Sequence, residues 1–195
     1  MRSSYGPRSH ASRTLFGGDV SFPRPGWRSS SIFVLMRILK PRRFVETGVG
    51  MIGATTSYIL EGLRRNQSGH LWSVDPNKFY VMYGFHVGAG IPAQLHERHS
   101  FVQGMSVEEL PRLLAQLNGL DVFLHDGEHI YGTMFKEYSW ASQYLRGRGC
   151  VLSDDTWNSA IDDFALVSGC VLTFAMYGGS HFAYGVQEMP LAGQI

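Results

Sequence analysis

Cysteine is almost missing from this chain of 195 residues. The two present, Cys150 and Cys170, form no C-x-x-C pair. A disulfide scaffold and a zinc knuckle are thereby disfavoured, and both residues read as small buried hydrophobes in a reducing compartment. Long apolar runs are missing too. None approaches the roughly 20 residues of a membrane-spanning helix, and no apolar stretch near residue 1 reads as a secretory leader. A cytoplasmic location and no membrane partner are expected. Charge of one sign is also lacking, since 17 Lys and Arg against 16 Asp and Glu leave a formal net charge of +1. A large nucleic-acid footprint would show as a basic excess, so no nucleic-acid partner is expected. Acid is locally absent before Asp19, where Arg2, Arg8 and Arg13 stand among serines. That composition suits a mobile arm over residues 1–28, and it leaves organelle targeting open.

What is present is an alternation. After Pro23, Pro25 and Gly26, serines 29–31 precede an apolar helical stripe that stops before Pro41. Arg43 to Val49 reads as a strand, Thr55 to Arg65 as a helix, and His70 to Val74 as a second strand closed by Asp75-Pro76. Asn77 to His99 is the least legible stretch, with an aromatic cluster from Phe79 to Phe85 and a short helix near Pro92. Ser100 to Gln103 is a third strand. Ser106 to Leu117 is a helix with capping-box spacing from Ser106 to Glu109 and a bend expected at Pro111. Leu120 to His125 is a fourth strand, Thr133 to Arg146 a helix, and Gly149 to Leu152 a fifth strand followed by Ser153-Asp154-Asp155. A short helix at Ala160 to Val167 then leads to two strand-like runs, Val171–Tyr177 and Phe182–Glu188. Strands alternating with helices predict a three-layer α/β fold around a parallel sheet, and the terminal pair predicts an antiparallel hairpin. One domain over residues 29–195 is expected.

The chemistry-bearing pattern is Glu46-Thr47-Gly48-Val49-Gly50-Met51-Ile52-Gly53. Gly48, Gly50 and Gly53 form a G-x-G-x-x-G turn between a strand and a helix, where glycine permits a tight turn and the helix amino end attracts negative groups. Asp75 closes the next strand, where a carboxylate accepts hydrogen bonds from ribose hydroxyls. Together they predict a ribose-containing ligand. A dinucleotide dehydrogenase would continue into a substrate domain, for which the remaining length leaves no room. The acid Glu46 before the first glycine and the terminal reversed strand fit a different class.

With Glu46-Thr47-Gly48, Asp126-Gly127-Glu128-His129-Ile130-Tyr131 and Ser153-Asp154-Asp155-Thr156 in order, the chain resembles the class I S-adenosylmethionine-dependent methyltransferases. It is most similar to the macrocin and novobiocin type of small-molecule O-methyltransferase, with cephalosporin-hydroxylase-like proteins nearby. The likeness spans about Arg43 to Glu188. It implies a Rossmann-like methyltransferase fold with a seven-stranded, mostly parallel sheet, and S-adenosylmethionine lying over Gly48 to Gly53. It also implies that Asp126, Asp154 and Asp155 bind a divalent cation. Three converging carboxylates would repel one another without one, and hard oxygen ligands point to Mg²⁺. Asp126 would border the cofactor as well. The resemblance places a general base at Glu128; His129 is the rival, because imidazole suits proton removal near neutrality.

Relatives often carry an acid or amide just before the position of Ser106. Here Met105 stands there, and Gln103 is the substitute expected at the cofactor. The resulting expectation is a metal-assisted O-methyltransferase acting on a small-molecule hydroxyl, with a homo-oligomer left open. A non-catalytic binding protein of the same fold, and a cephalosporin-hydroxylase-like metal protein, are the alternatives.

Overall fold

The computed structural model describes residues 27–77, 84, 86–177 and 180–186. The expected arm therefore lies outside the described residues up to residue 26, while Trp27 and Arg28 already belong to the first helix, α1 (Trp27–Leu39). The aromatic cluster from Phe79 to Phe85 also falls outside them. Seven strands form one sheet: β1 (Arg43–Thr47), β2 (His70–Asp75), β3 (His99–Gln103), β4 (Leu120–His125), β5 (Leu145–Asp154), β6 (Val171–Tyr177) and β7 (Ser180–Val186). Their spatial order is β3-β2-β1-β4-β5-β7-β6. The pairs β1–β2, β2–β3, β1–β4 and β4–β5 are parallel, whereas β7 runs antiparallel to both β5 and β6. The expected sheet with a reversed terminal strand is the one found.

Strand alternation sorts the core into two layers. Phe44, Val122, Leu124, Cys150 and Leu152 face α1 and α2 (Ala54–Asn66), while Val45, Phe123 and Val151 face the other side. There they meet α3 (Ser106–Leu117), α4 (Tyr131–Ser142) and α5 (Ala160–Ser168). The same parity carries on to the strand ends, so Glu46 points into the α2 layer and Thr47 into the α4 layer.

Two local expectations are corrected. The helix at Ser106 is capped by Met105 without a side-chain bond, so the capping box is not formed; Glu108 and Glu109 still sit in the first turn, where they suit the helix dipole. That helix continues through Pro111 as one element. The helix expected to reach Arg146 ends at Ser142, because Leu120 takes the Tyr144 carbonyl and pairs with Leu145, which starts β5 early. Sheet pairing here overrides a helical apolar stripe. Among the described residues between β2 and β3 the regular element is a 3-10 helix, Ala93–Arg98. Among the described residues no helix is long and apolar enough to cross a membrane.

Candidate active site at the carboxyl ends of the strands

The chain leaves β1, goes outward to β2 and β3, then returns to pair β4 on the other side of β1. The reversal leaves a crevice beyond the carboxyl ends of β1 and β4, where Thr47 is opposite His125. Most of the sequence-predicted residues stand around it.

The glycine turn is shaped first by the protein itself. Gly48 has φ +83°, and a Cβ there would lie 1.9 Å from the Asp126 carbonyl oxygen. The loop after β4 thus needs Gly48 as its seat, and the Asp126 N–H donates to the Thr47 carbonyl at 2.8 Å. Gly53, with φ +62°, is overlaid by Ile91. The N–H groups of Gly88 and Ala89 donate to the Gly50 and Met51 carbonyls, both at 3.0 Å. Gly88 and Ala89, on the way to β3, therefore fasten onto the turn.

Asp75 is nearly buried at the end of β2. Its Oδ2 accepts the Val49 and Gly50 N–H groups at 2.9 and 3.3 Å, and its Oδ1 accepts the Asn77 N–H at 2.9 Å. A carboxylate offers about four acceptor sites, so one remains for a ligand hydroxyl. Gln103 lies beside it in register, exposed on β3. Glu46 lies deeper. It is fully buried, and its Oε1 accepts the Thr56 and Ser73 hydroxyls at 2.7 and 2.6 Å, while its Oε2 has no partner. Burial pushes its carboxyl up to about 7, and the neighbouring Asp75 charge adds to the rise. Ser73 continues the chain of polar contacts to His99 Nε2 at 2.8 Å.

The α4 layer holds a second buried polar group that the sequence reading did not single out. The Thr47 hydroxyl donates to Glu137 Oε2 at 2.6 Å, and His125 Nδ1 lies 2.7 Å from the same oxygen. Glu137 sits between Met134 and Ala141 on the buried stripe of α4, a spacing that could have exposed it. Beside it Tyr138 and Ser153 share a 2.5 Å hydrogen bond, and burial pushes the Tyr138 hydroxyl well above its usual range.

Above these layers the two rivals for proton removal separate. Glu128 is exposed and accepts the Thr133 hydroxyl at 2.9 Å, which fastens it to the first turn of α4. His129 is 21% exposed, with its Nε2 3.6 Å from Asp155 Oδ2. Its ring meets His125 edge-on at 5.3 Å and Trp157 at 5.5 Å. Asn158 Nδ2 donates to the His129 carbonyl, tying the loop after β5 to the loop after β4.

The expected cation site at Asp126, Asp154 and Asp155 is not shown. Among the described residues no group of three or more His, Cys, Asp or Glu side chains is placed to hold a metal ion. Asp154 is buried and its Oδ1 accepts the Asp155 N–H at 2.9 Å. Asp155 adopts φ +49°, and its carboxylate lies beside His129. Adjacent residues point to opposite faces of an extended strand, and this left-handed turn directs Asp155 to the histidine.

A family model described as "Methyltransferase domain" matches residues 45–156. No curated protein matches the chain. Among solved structures it is similar to an O-methyltransferase from Bacillus cereus in complex with SAH, with TM-score 0.66 and 16% identity over 86% of this chain and 84% of that one. It is also similar to the O-methyltransferase TomG from Streptomyces achromogenes, involved in tomaymycin synthesis and complexed with SAM, with TM-score 0.62 and 14% identity over 83% and 80% of the two chains. The methyltransferase MycE of the mycinamycin pathway, complexed with Mg, SAH and mycinamycin VI, gives TM-score 0.57 and 16% identity over 89% of this chain and 53% of its own. At such identities the likeness is one of fold.

Proposed function

This chain belongs to the methyltransferase-domain family, and from that premise we propose that it moves the methyl group of S-adenosylmethionine to the hydroxyl of a small molecule. The observation that carries the reading is the meeting of three features at one crevice: the Gly48–Gly53 turn, the Asp75 carboxylate and the His129–Asp155 pair. The residues suit the cofactor. Asp75 retains acceptor capacity for a ribose hydroxyl, and the turn opens onto the amino end of α2.

When bound, the sulfonium supplies a methyl group already activated for displacement. Asp75 orients the ligand by fixing the turn amides and offering its one remaining acceptor site. His129 accepts the proton of the hydroxyl at Nε2, since its Nδ1 is buried, and the nearby Asp155 carboxylate favours the imidazolium that results. Glu128, exposed and held by Thr133, is the weaker candidate for this task. No step is assigned to a cation. Positioning supplies most of the acceleration.

The test has two parts. Calorimetry with S-adenosylmethionine and with NAD should show heat for the first alone; heat with NAD alone overturns the reading. Transfer of labelled methyl to a panel of small hydroxyl compounds should then fall about 10²–10⁴-fold in His129→Ala, the usual worth of a general base. Cofactor affinity should be retained. Undiminished transfer by that variant removes His129 from the role.

A further inference from the structure

The amino ends of the strands, opposite the crevice, hold a cavity of about 440 Å³ between the end of α1 and the starts of β4 and β5. Two local departures from regular structure build it. Lys40 adopts φ +47° and donates its N–H to the Met36 carbonyl at 3.1 Å, so it closes α1 where glycine is the usual residue. A lysine held there against its steric preference points to a use for its side chain. On β5 the register jumps: Leu145 pairs with Leu120 but Cys150 with Val122, so Arg146-Gly147-Arg148-Gly149 bulges opposite Asp121 alone. Bulges re-aim side chains, and this one brings Arg146 to the cavity with Lys40 and Arg42. Among the described residues the Lys40 and Arg42 side chains have no hydrogen-bond or ion-pair partner. Arg146 uses one of its five N–H donors on the Asn118 carbonyl. Asp121, the acid of the lining, is turned to the backbone: its Oδ2 accepts the Arg42 and Arg43 N–H groups at 2.6 and 2.9 Å.

We propose that this cavity binds a phosphate monoester of an apolar alcohol, at a site separate from the methyl-transfer crevice. Three cations against one acid leave the lining with two positive charges in excess. A phosphate monoester carries about 1.5–2 negative charges near pH 7. Its three free oxygens match the guanidinium forks and the lysine ammonium. Ile38, Pro41 and Val122 supply an apolar wall for the organic group. The volume lies within the roughly 300–1,000 Å³ of small-molecule sites. A singly charged anion leaves a cation unmatched in a partly apolar pocket, and free phosphate leaves the wall uncovered. Asp121 and His125 stand four residues apart on β4, about 13 Å along an extended strand. The ester therefore binds alongside the cofactor and not in its place.

The experiment titrates the full chain by calorimetry with three probes: 1-naphthyl phosphate, 1-naphthalenesulfonate, which has the same body with one charge, and inorganic phosphate, which has the head alone. Each is run with and without S-adenosylhomocysteine. The ester should bind at least about tenfold more tightly than either other anion, and equally in both conditions. Lys40→Gly and Arg146→Gln should each weaken it about tenfold or more. Glycine takes the left-handed backbone freely, and a thermal unfolding midpoint no lower than that of wild type shows that each variant is folded. No binding of the ester, equal affinity for ester and sulfonate, or affinity unmoved in both variants overturns the proposal. Loss of ester binding in the presence of S-adenosylhomocysteine places the anion in the crevice and overturns it as well.

Discussion

Replacing Glu46 by glutamine should make the protein more stable at alkaline pH and not at acid pH. The carboxyl is fully buried, with two hydroxyl donors on Oε1 and nothing on Oε2. Its pKa rises from 4.5 to about 7, and at about 1.4 kcal/mol per pKa unit this amounts to about 3 kcal/mol. The sign follows from proton counts. Between 4.5 and about 7 the folded state keeps the proton while the unfolded state has lost it, so stability falls as pH rises. The loss begins near the unfolded value and is complete above the folded one. Glutamine in Glu46→Gln keeps an acceptor for Thr56 and Ser73 but sets an amide where Oε2 had no partner, at a cost of about 1–2 kcal/mol. The variant should therefore be slightly less stable at pH 5 and more stable by about 1–2 kcal/mol at pH 8. His99, pushed down to about 4 by burial, works in the opposite sense: its contribution is lost as pH falls from 6.5 towards 4. That contribution is complete in both proteins above about pH 7, where the gain of the variant is read. Urea unfolding at several values between pH 5 and 8.5 measures it. A difference that stays flat with pH, or that falls as pH rises, refutes the account of Glu46 as a buried, proton-holding acid.

Other outcomes are expected from the same structure. Asp75→Ala should weaken S-adenosylhomocysteine binding by about 1.5–3 kcal/mol, because three backbone N–H groups and the ligand lose one charged acceptor; calorimetry reads it. Gly48→Ala should destabilise the fold by about 2 kcal/mol or more, since both the left-handed φ and the Asp126 backbone oppose a Cβ; thermal unfolding within experimental error of wild type would contradict this. Exhaustive chelation should leave methyl transfer unchanged, given how Asp154 and Asp155 are engaged, and a collapse of turnover restored by Mg²⁺ would show that the aspartates regroup.

Much of this protein was written in local pattern. The turn at Gly48 to Gly53, the strand endings at Asp75 and Asp126, and the alternation of helix and strand are local signals, since each reflects backbone geometry within a few residues. The reversed terminal strand was legible for a similar reason: two strand-like runs joined by Gly178-Gly179-Ser180 pair as neighbours. What the sequence could not decide was which side chains would meet. Whether Glu46 touches a ligand or sits beneath the turn depends on α2 and β2, which bring Thr56 and Ser73 to it from 10 and 27 residues away. Thr47, His125 and Glu137 meet only because β1, β4 and α4 converge, as the separations of 90 and 12 residues show. The aspartate triplet was hard to read for the opposite reason. Adjacency in sequence suggested that Asp154 and Asp155 act together, but one left-handed residue sends the second carboxylate to His129. Backbone conformation is set by short-range sterics and is readable residue by residue, whereas the direction of a polar side chain is set by whichever distant donor or charge satisfies it, and only the folded packing brings that partner into place.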